Sequence, residues 1–260
     1  MAVEQLKEFR QLILVGAEAP VAYFAYPEKN SVFTPPECEI HTLAKPGEHY
    51  VGALEALASA LPVRGEANQD TAEERPALPG GEITLPGLSS AIGALLPENA
   101  IVIDESMTSG RGLMAATKGC PPHDWLGNTG GSIGIALPLA VGAALACPDR
   151  KVLCLTADGS AMYTLQALWT MAREKLDVTI VVFANRDYSV LKREFSYLGI
   201  GSPGARAREM FEIGHPDLEW VELAKGMGVQ GIRVDSLDAF GKALQSCLEG
   251  TGPSLIEVPL

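Results

Sequence analysis

The chain has 260 residues, 47% of them hydrophobic and 20% charged, which is enough to bury a substantial core in one large or two small domains. Its net charge of −12 argues against a general nucleic-acid or anionic-membrane surface, while leaving room for a local basic pocket for phosphate. No apolar run reaches membrane-spanning length, MAVEQLKEFR lacks the pattern of a signal peptide, and five scattered cysteines form no C-x-x-C pair. Together these favour a reducing cytoplasm, with no membrane and no nucleic-acid partner.

In chain order, QLILVGAEAP (11–20) reads as a buried strand entering a glycine turn, FAYPEKNSVFTPPE (24–37) as a loop and CEIHTLAK (38–45) as a second strand. EHYVGALEALASAL (48–61) has helical periodicity, with Val51, Leu54, Leu57, Ala58 and Leu61 on one face. Residues 1–63 thus make a small α/β unit, too slight for an independent parallel sheet and expected to be part of a larger middle domain. RGEANQDTAEERPALPGGEIT, rich in charge, Pro and Gly, predicts a linker over 64–85. From 86 to 260 the pattern is regular: helix at LSSAIGALL, strand at AIVIDE, apolar helix at GSIGIALPLAVGAALA, then strands KVLCLTA and VTIVVFA flanking a helix around ALWTMARE. Helices at LEWVELAKGMG and LDAFGKALQSCLE and a closing strand SLIEVPL follow. Near-continuous apolar strands alternating with helices predict an α/β fold, a parallel sheet covered by helices on both faces.

The candidate site is at Lys151–Asp187. Asp158-Gly159-Ser160 ends one strand and opens a helix, where backbone N–H groups favour phosphate. Asn185 ends the next strand, 27 residues after Asp158 and about one βαβ repeat on. An acid oxygen and an amide oxygen at neighbouring strand tips can share a hard cation such as magnesium, which prefers oxygen ligands completed by phosphate. Taken one at a time, the residues also fit simple structural roles, Asp158 as a helix cap and Asn185 in a turn.

TGGSIGIA (129–136) and Tyr188-Ser-Val-Leu-Lys192 resemble motifs of short-chain dehydrogenases. That glycine turn should follow an N-terminal strand, and CPPHDWLGN reads as no strand; the tyrosine also comes too soon after it. A different resemblance covers nearly all of 86–260. DESMTSG, PPHDWLGNTGGSIGIALPLAVGAALACPDR and ADGSAMYTLQALWTMAREKLDVTIVVFANRDYSVLKREF resemble the thiamine-diphosphate-dependent enzymes, in the acetolactate synthase large subunit-like and benzoylformate decarboxylase-like branch. LILVGAEAPVAYFAYP looks like the end of that family's middle domain. Ala157 and Ala184 stand where the family motif has Gly and Asn, neither of which supplies a metal-binding side chain.

The resemblance implies thiamine diphosphate and Mg2+ as cofactors. It implies Asp158 and Asn185 as side-chain metal ligands, and Asp187 through its backbone carbonyl. Gly159 and Ser160, with Thr108 and Ser109, would hold the diphosphate. In GGSIG, the Gly131 carbonyl would accept a hydrogen bond from the aminopyrimidine, with Ser132 beside it, and Ile133 would wedge beneath the bent cofactor. Taken alone, Ile133 reads as a core residue opening a helix. The family acts on carbon–carbon bonds beside a 2-oxo acid carbonyl and needs a glutamate from a pyrimidine-binding domain that nothing here matches. Glu105 is not that glutamate. The resemblance therefore implies the C-terminal, diphosphate-binding half of such an enzyme, in a homo-oligomer or with a partner chain carrying the missing domain. The alternative is a cofactor-binding or regulatory module without turnover. His123, ahead of the glycine turn, is either a substrate-facing proton donor or a structural ring. Tyr188 and Leu191 are expected to line the pocket.

Overall fold

A computed structural model describes residues 2–23, 26, 29–62, 74–199 and 201–260. The chain divides into two compact units, Met1–Asp70 and Thr71–Leu260. Residues 63–73, which include the first part of the expected linker, and residues 24, 25, 27 and 28 of the expected loop lie outside the described residues.

In the first unit, α1 (Ala2–Leu6) leads into β1 (Gln11–Val15), which pairs in parallel with β2 (Glu39–Ala44) before α2 (Tyr50–Ala60). The His49 ring nitrogen accepts the Gly52 N–H at 3.0 Å and so caps α2. β1 is not the buried strand its apolar run predicts: Ile13 is exposed, and among the described residues of this unit only Leu14 and Ala44 are buried apolar side chains. A pleated strand buries both faces only when layers cover both, and two strands with two short helices do not provide that.

The second unit begins with α3 (Leu85–Leu95), β3 (Ile101–Glu105), α4 (Leu113–Ala116), β4 (Asp124–Gly127) and α5 (Ala136–Ala146). It continues through β5 (Val152–Ala157), the single turn α6 (Asp158–Ala161), α7 (Ala167–Glu174), β6 (Val178–Ala184), α8 (Ser189–Tyr197) and α9 (Ala205–Phe211). It closes with α10 (Trp220–Gly226), β7 (Gln230–Arg233), α11 (Leu237–Glu249) and β8 (Ser254–Pro259). All six strands are parallel, in the order β4-β3-β5-β6-β8-β7. Successive side chains leave opposite faces of a strand, so Cys154 and Ile180 meet α5, α7 and α10 while Leu155 and Val181 meet α3 and α11. This is the two-sided α/β architecture the strand pattern predicts. The chain runs from β3 to β4 on one side and then back to β5 on the other. That reversal opens the crevice where parallel sheets bind ligands.

Three local features differ from expectation. Asp124–Gly127, expected not to be a strand, pairs in parallel with β3 as a four-residue edge strand. Its residues are largely exposed, so no apolar run announces it, and the neighbouring strand supplies the pairing. The expected helix over 131–146 starts only at Ala136, leaving GGSIG as a turn. The helix opened by Asp158 stops after one turn and resumes at Ala167. Residues 74–84, within the expected linker, bind this unit. The Arg75 guanidinium donates to the Gly93 carbonyl at 3.0 Å and to that of Leu96 at 2.5 Å, and the Gly81 N–H donates to Asp238 at 2.7 Å.

Candidate functional site

Parallel pairing of β5 with β6, in the register Ala157 to Phe183, brings Asp158 and Asn185 to the same carboxyl edge of the sheet. The Asp158 carboxylate is 2% exposed, one oxygen accepting the Gly159 N–H at 2.8 Å and the other the Arg186 N–H at 2.7 Å. Burial pushes its pKa above the ordinary carboxylate value, against the pull of these N–H groups and of the Arg186 charge. Arg186 takes the left-handed conformation, φ +56°, which turns its N–H back toward Asp158.

The loop after β6 is latched by its own side chains. The Asn185 amide oxygen accepts the Asp187 N–H at 3.1 Å, and its amide nitrogen donates to the Ser189 hydroxyl at 3.3 Å. That hydroxyl donates to Asp187 at 2.8 Å, and Lys192 pairs with the other Asp187 oxygen at 2.8 Å. A neighbouring segment braces the loop: the Tyr188 N–H donates to the Phe211 carbonyl at 2.8 Å, the Ile213 N–H to that of Arg186 at 2.9 Å, and Arg186 pairs with Asp217 at 3.1 Å. The Asp187 side chain is thereby used within the loop.

These donors fit a hard cation completed by phosphate oxygens. Each Asp158 oxygen and the Asn185 oxygen carry one protein hydrogen bond and keep a further lone pair. Among the described residues no group of three or more His, Cys, Asp or Glu side chains could hold a metal unaided. A magnesium ion here would need ligand oxygens, which suits its habit of binding through one or two carboxylates plus substrate phosphates.

After β3, the loop 104–109 folds on itself: the Ser106 N–H donates to Asp104 at 2.9 Å and the Ser109 N–H to the Ser106 carbonyl at 3.0 Å. A cleft of about 510 Å³ brings Thr108 and buried Ser109 together with Asn185, Ser189, Arg111 and Arg193. The guanidinium groups supply the local positive charge that an acidic chain needs to hold an anion. Gly159 has a role its motif does not disclose. A side chain there would stand 2.6 Å from the Tyr188 ring. Tyr188 thus lies against the phosphate-type turn.

The glycine turn is held from below. Gly130, Gly131 and Gly134 have φ of +65°, +64° and +83°. Glu105, at the end of β3 and 2% exposed, accepts the Gly134 N–H at 2.6 Å and the Ala136 N–H at 2.9 Å. Thr164 donates its hydroxyl to the Gly134 carbonyl at 2.7 Å. Burial raises the Glu105 pKa, the backbone N–H groups lower it, and burial wins. Ile133 is 43% exposed in this turn, so it is not the helix-opening core residue that its apolarity alone suggests. Sequence reasoning missed the job of Glu105. An acid closing an apolar strand was visible, but its partners come 29 and 31 residues later.

His123 is not at this edge. It precedes Asp124, which pairs with Ile101 where β3 begins, so it sits at the opposite, amino edge of the sheet. There its ring nitrogen contacts the Pro121 carbonyl at 2.8 Å, and the ring meets Trp125 edge-on. The structural reading of this residue holds. The substrate-facing one falls, because a strand parallel to β3 carries its first residues away from the site.

The raised pKa values have a measurable consequence. An acid whose folded pKa exceeds its unfolded one binds more protons when folded, so its stabilising contribution is full below the ordinary carboxylate range. That contribution is lost as pH rises through the raised value. The ligand-free chain should therefore melt higher as pH falls from neutral toward about 5. Relief of the −12 net charge works in the same direction, so Glu105→Gln serves as the comparison and should show a shallower rise. Parallel melting curves for the two proteins across that window would contradict the assignment.

Sheet order, crevice and oxygen atoms paired at the carboxyl edge are those of a ligand-binding α/β domain. The chain belongs to the thiamine pyrophosphate enzymes: residues 110–258 match the family's C-terminal TPP binding domain. A candidate acetolactate synthase large subunit, IlvX, of Mycobacterium tuberculosis is 46% identical over 99% of this chain and 50% of its own length. Benzoylformate decarboxylase of Pseudomonas aeruginosa is 30% identical over 69% of this chain and 33% of its own. In three dimensions, the thiamine diphosphate-dependent 4-hydroxybenzoylformate decarboxylase of Rhodococcus jostii RHA1 superposes with a TM-score of 0.73 at 26% identity, over 99% of this chain and 50% of that one. The chain thus spans about half the length of relatives it matches along its whole extent.

Proposed function

We propose that the chain binds thiamine diphosphate with Mg2+ as the C-terminal half of an acetolactate synthase-like or 2-oxo acid decarboxylase-like enzyme, a lyase or transferase acting on a carbon–carbon bond beside a carbonyl. The observation that carries this reading is the meeting of Asn185 with Thr108 and Ser109 in one cleft, on the sheet edge that also bears Asp158. Asp158 and Asn185 hold the metal by side-chain oxygens and Asp187 by its carbonyl. Gly159, Ser160, Thr108 and Ser109 hold the diphosphate. The Gly131 carbonyl, with Ser132 beside it, receives the aminopyrimidine, and exposed Ile133 supports the bend between the two rings. When bound, the cofactor supplies a thiazolium carbon that adds to the substrate carbonyl and delocalises the resulting negative charge. The protein's part is orientation: the reacting groups are held in place before substrate arrives.

Activity needs the pyrimidine-binding part, from a homo-oligomer or a partner chain. Exposed Met107, Met114, Leu126, Met162 and Tyr163 of the second unit give such a partner apolar surface to cover. No described helix is long and apolar enough to cross a membrane.

Calorimetric titration of the full chain with thiamine diphosphate tests the reading. Binding should require Mg2+, with affinity at least about tenfold weaker when the metal is chelated. Absence of binding in the presence of magnesium, with a pyrimidine-binding half also supplied, would reject it.

A further inference from the structure

We propose that Glu105 is a positioning residue for the cofactor's pyrimidine end: it sets the height of the turn that carries the Gly131 carbonyl and Ile133. This inference rests on the thiamine diphosphate reading above and goes beyond it by naming what keeps that turn in place.

Of its own the turn has two long backbone bonds, from the Ser132 N–H to the Thr129 carbonyl at 3.4 Å and from the Ile135 N–H to that of Ser132 at 3.3 Å. Three of its residues are glycines at positive φ, a residue type that loses more freedom on folding than any other. Its one large side chain, Ile133, is 43% exposed and so gains little from the core. Two side chains brace it from outside. Thr164 binds the Gly134 carbonyl at 2.7 Å, and Glu105 binds the N–H groups of Gly134 and Ala136 at 2.6 and 2.9 Å.

Glu105 is spent on this and nothing else. Glu105 is 2% exposed, and among the described residues no Lys or Arg forms an ion pair with it. A buried acid without a cation is costly unless its oxygens are fully hydrogen-bonded. Both oxygens are used here, one on the last residue of the turn and the other on the first residue of α5. The residue type follows from that geometry. Glutamine offers one acceptor oxygen and turns an NH2 toward the second N–H. Aspartate is one methylene too short to reach both from the end of β3.

A simpler role exists: Glu105 could serve only as a substitute cap for α5, whose first residue is Ala136 and which has no side-chain cap of its own. The two roles separate by ligand. A positioning residue matters to the pyrimidine end and not to the metal–diphosphate end, which hangs on Asp158 and Asn185.

The experiment is calorimetry on the full chain, wild type and Glu105→Gln, each titrated with thiamine diphosphate and separately with inorganic diphosphate, both with Mg2+. The expected result is a dissociation constant for thiamine diphosphate raised about tenfold, the loss of one charge-assisted hydrogen bond. The inorganic diphosphate affinity should stay within about twofold of wild type. If both affinities are unchanged, or both fall together, Glu105 is a structural cap and the inference is overturned. Should Glu105→Gln not fold, Glu105→Asp keeps the charge, and the same split is required of it. A wild-type chain that binds neither ligand refutes the proposed function itself, a result distinct from wild-type binding with no split in the variant.

Discussion

Asp158→Ala is expected to abolish magnesium-dependent binding of thiamine diphosphate, with an affinity loss on the order of 100-fold or more. Groups that merely orient metal ligands cost 10–100-fold when removed, so loss of the one charged side chain here proposed as a ligand belongs at or beyond the upper end. The substitution also strips the acceptors from the Gly159 and Arg186 N–H groups, bonded at 2.8 and 2.7 Å. Each unsatisfied buried donor costs about 1–3 kcal/mol, so the alanine variant should melt lower as well. Asp158→Asn separates the two effects. Its amide oxygen still serves the Arg186 N–H while the charge is gone and its NH2 faces the Gly159 N–H, so it should melt between wild type and the alanine variant, and metal dependence should still vanish. Calorimetry with and without Mg2+, beside a thermal melt, reads both. An asparagine variant whose affinity still depends on magnesium would remove Asp158 from the metal site.

What was legible in the sequence follows the physics of burial. β5 and β6 are covered on both faces, so VLCLTA and VTIVVFA are continuous apolar runs, and their adjacency placed Asp158 and Asn185 on one edge. β4 was missed for the converse reason, since DWLG is an exposed edge strand that β3 completes. His123 went with it: its distance from the site depends on the direction of a strand that the sequence does not announce. The glycine turn was visible as Gly130, Gly131 and Gly134, because only glycine enters left-handed backbone at low cost. Its support was not visible. Glu105, Thr164 and the Tyr188 ring over Gly159 reach their partners across 29 to 31 residues, distances that local spacing cannot encode. The left-handed Arg186 is the strongest case, since nothing in Asn-Arg-Asp marks φ +56°. The Asp158 oxygen and the latch from Phe211 and Ile213 impose it.

Gly134→Ala tests the turn without touching any proposed ligand, and it should damage both fold and binding. At φ +83° a side chain is strained whatever the space available. The added carbon would also lie 2.6 Å from the Tyr163 Cβ, 3.3 Å from a Thr164 methyl and 3.4 Å from the Ser160 carbonyl. The Tyr163 Cβ is fixed to the backbone, so a rotamer change cannot relieve the first contact. The backbone between Ser160 and Thr164 must move, and that segment continues directly from the phosphate-type turn at Asp158–Ser160. The expected cost is about 2 kcal/mol, the sum of backbone strain and mild overpacking, or roughly 4–8 °C in melting temperature for a domain of this size. Thiamine diphosphate affinity should fall with it. Gly142→Ala is the matched control: it lies in α5, a side chain there meets nothing within 4 Å, and alanine is the better helix former. That variant should be unchanged or more stable by up to about 1 kcal/mol. If Gly134→Ala melts with wild type, the turn is soft, and neither Glu105 nor the left-handed glycines hold Ile133 in place.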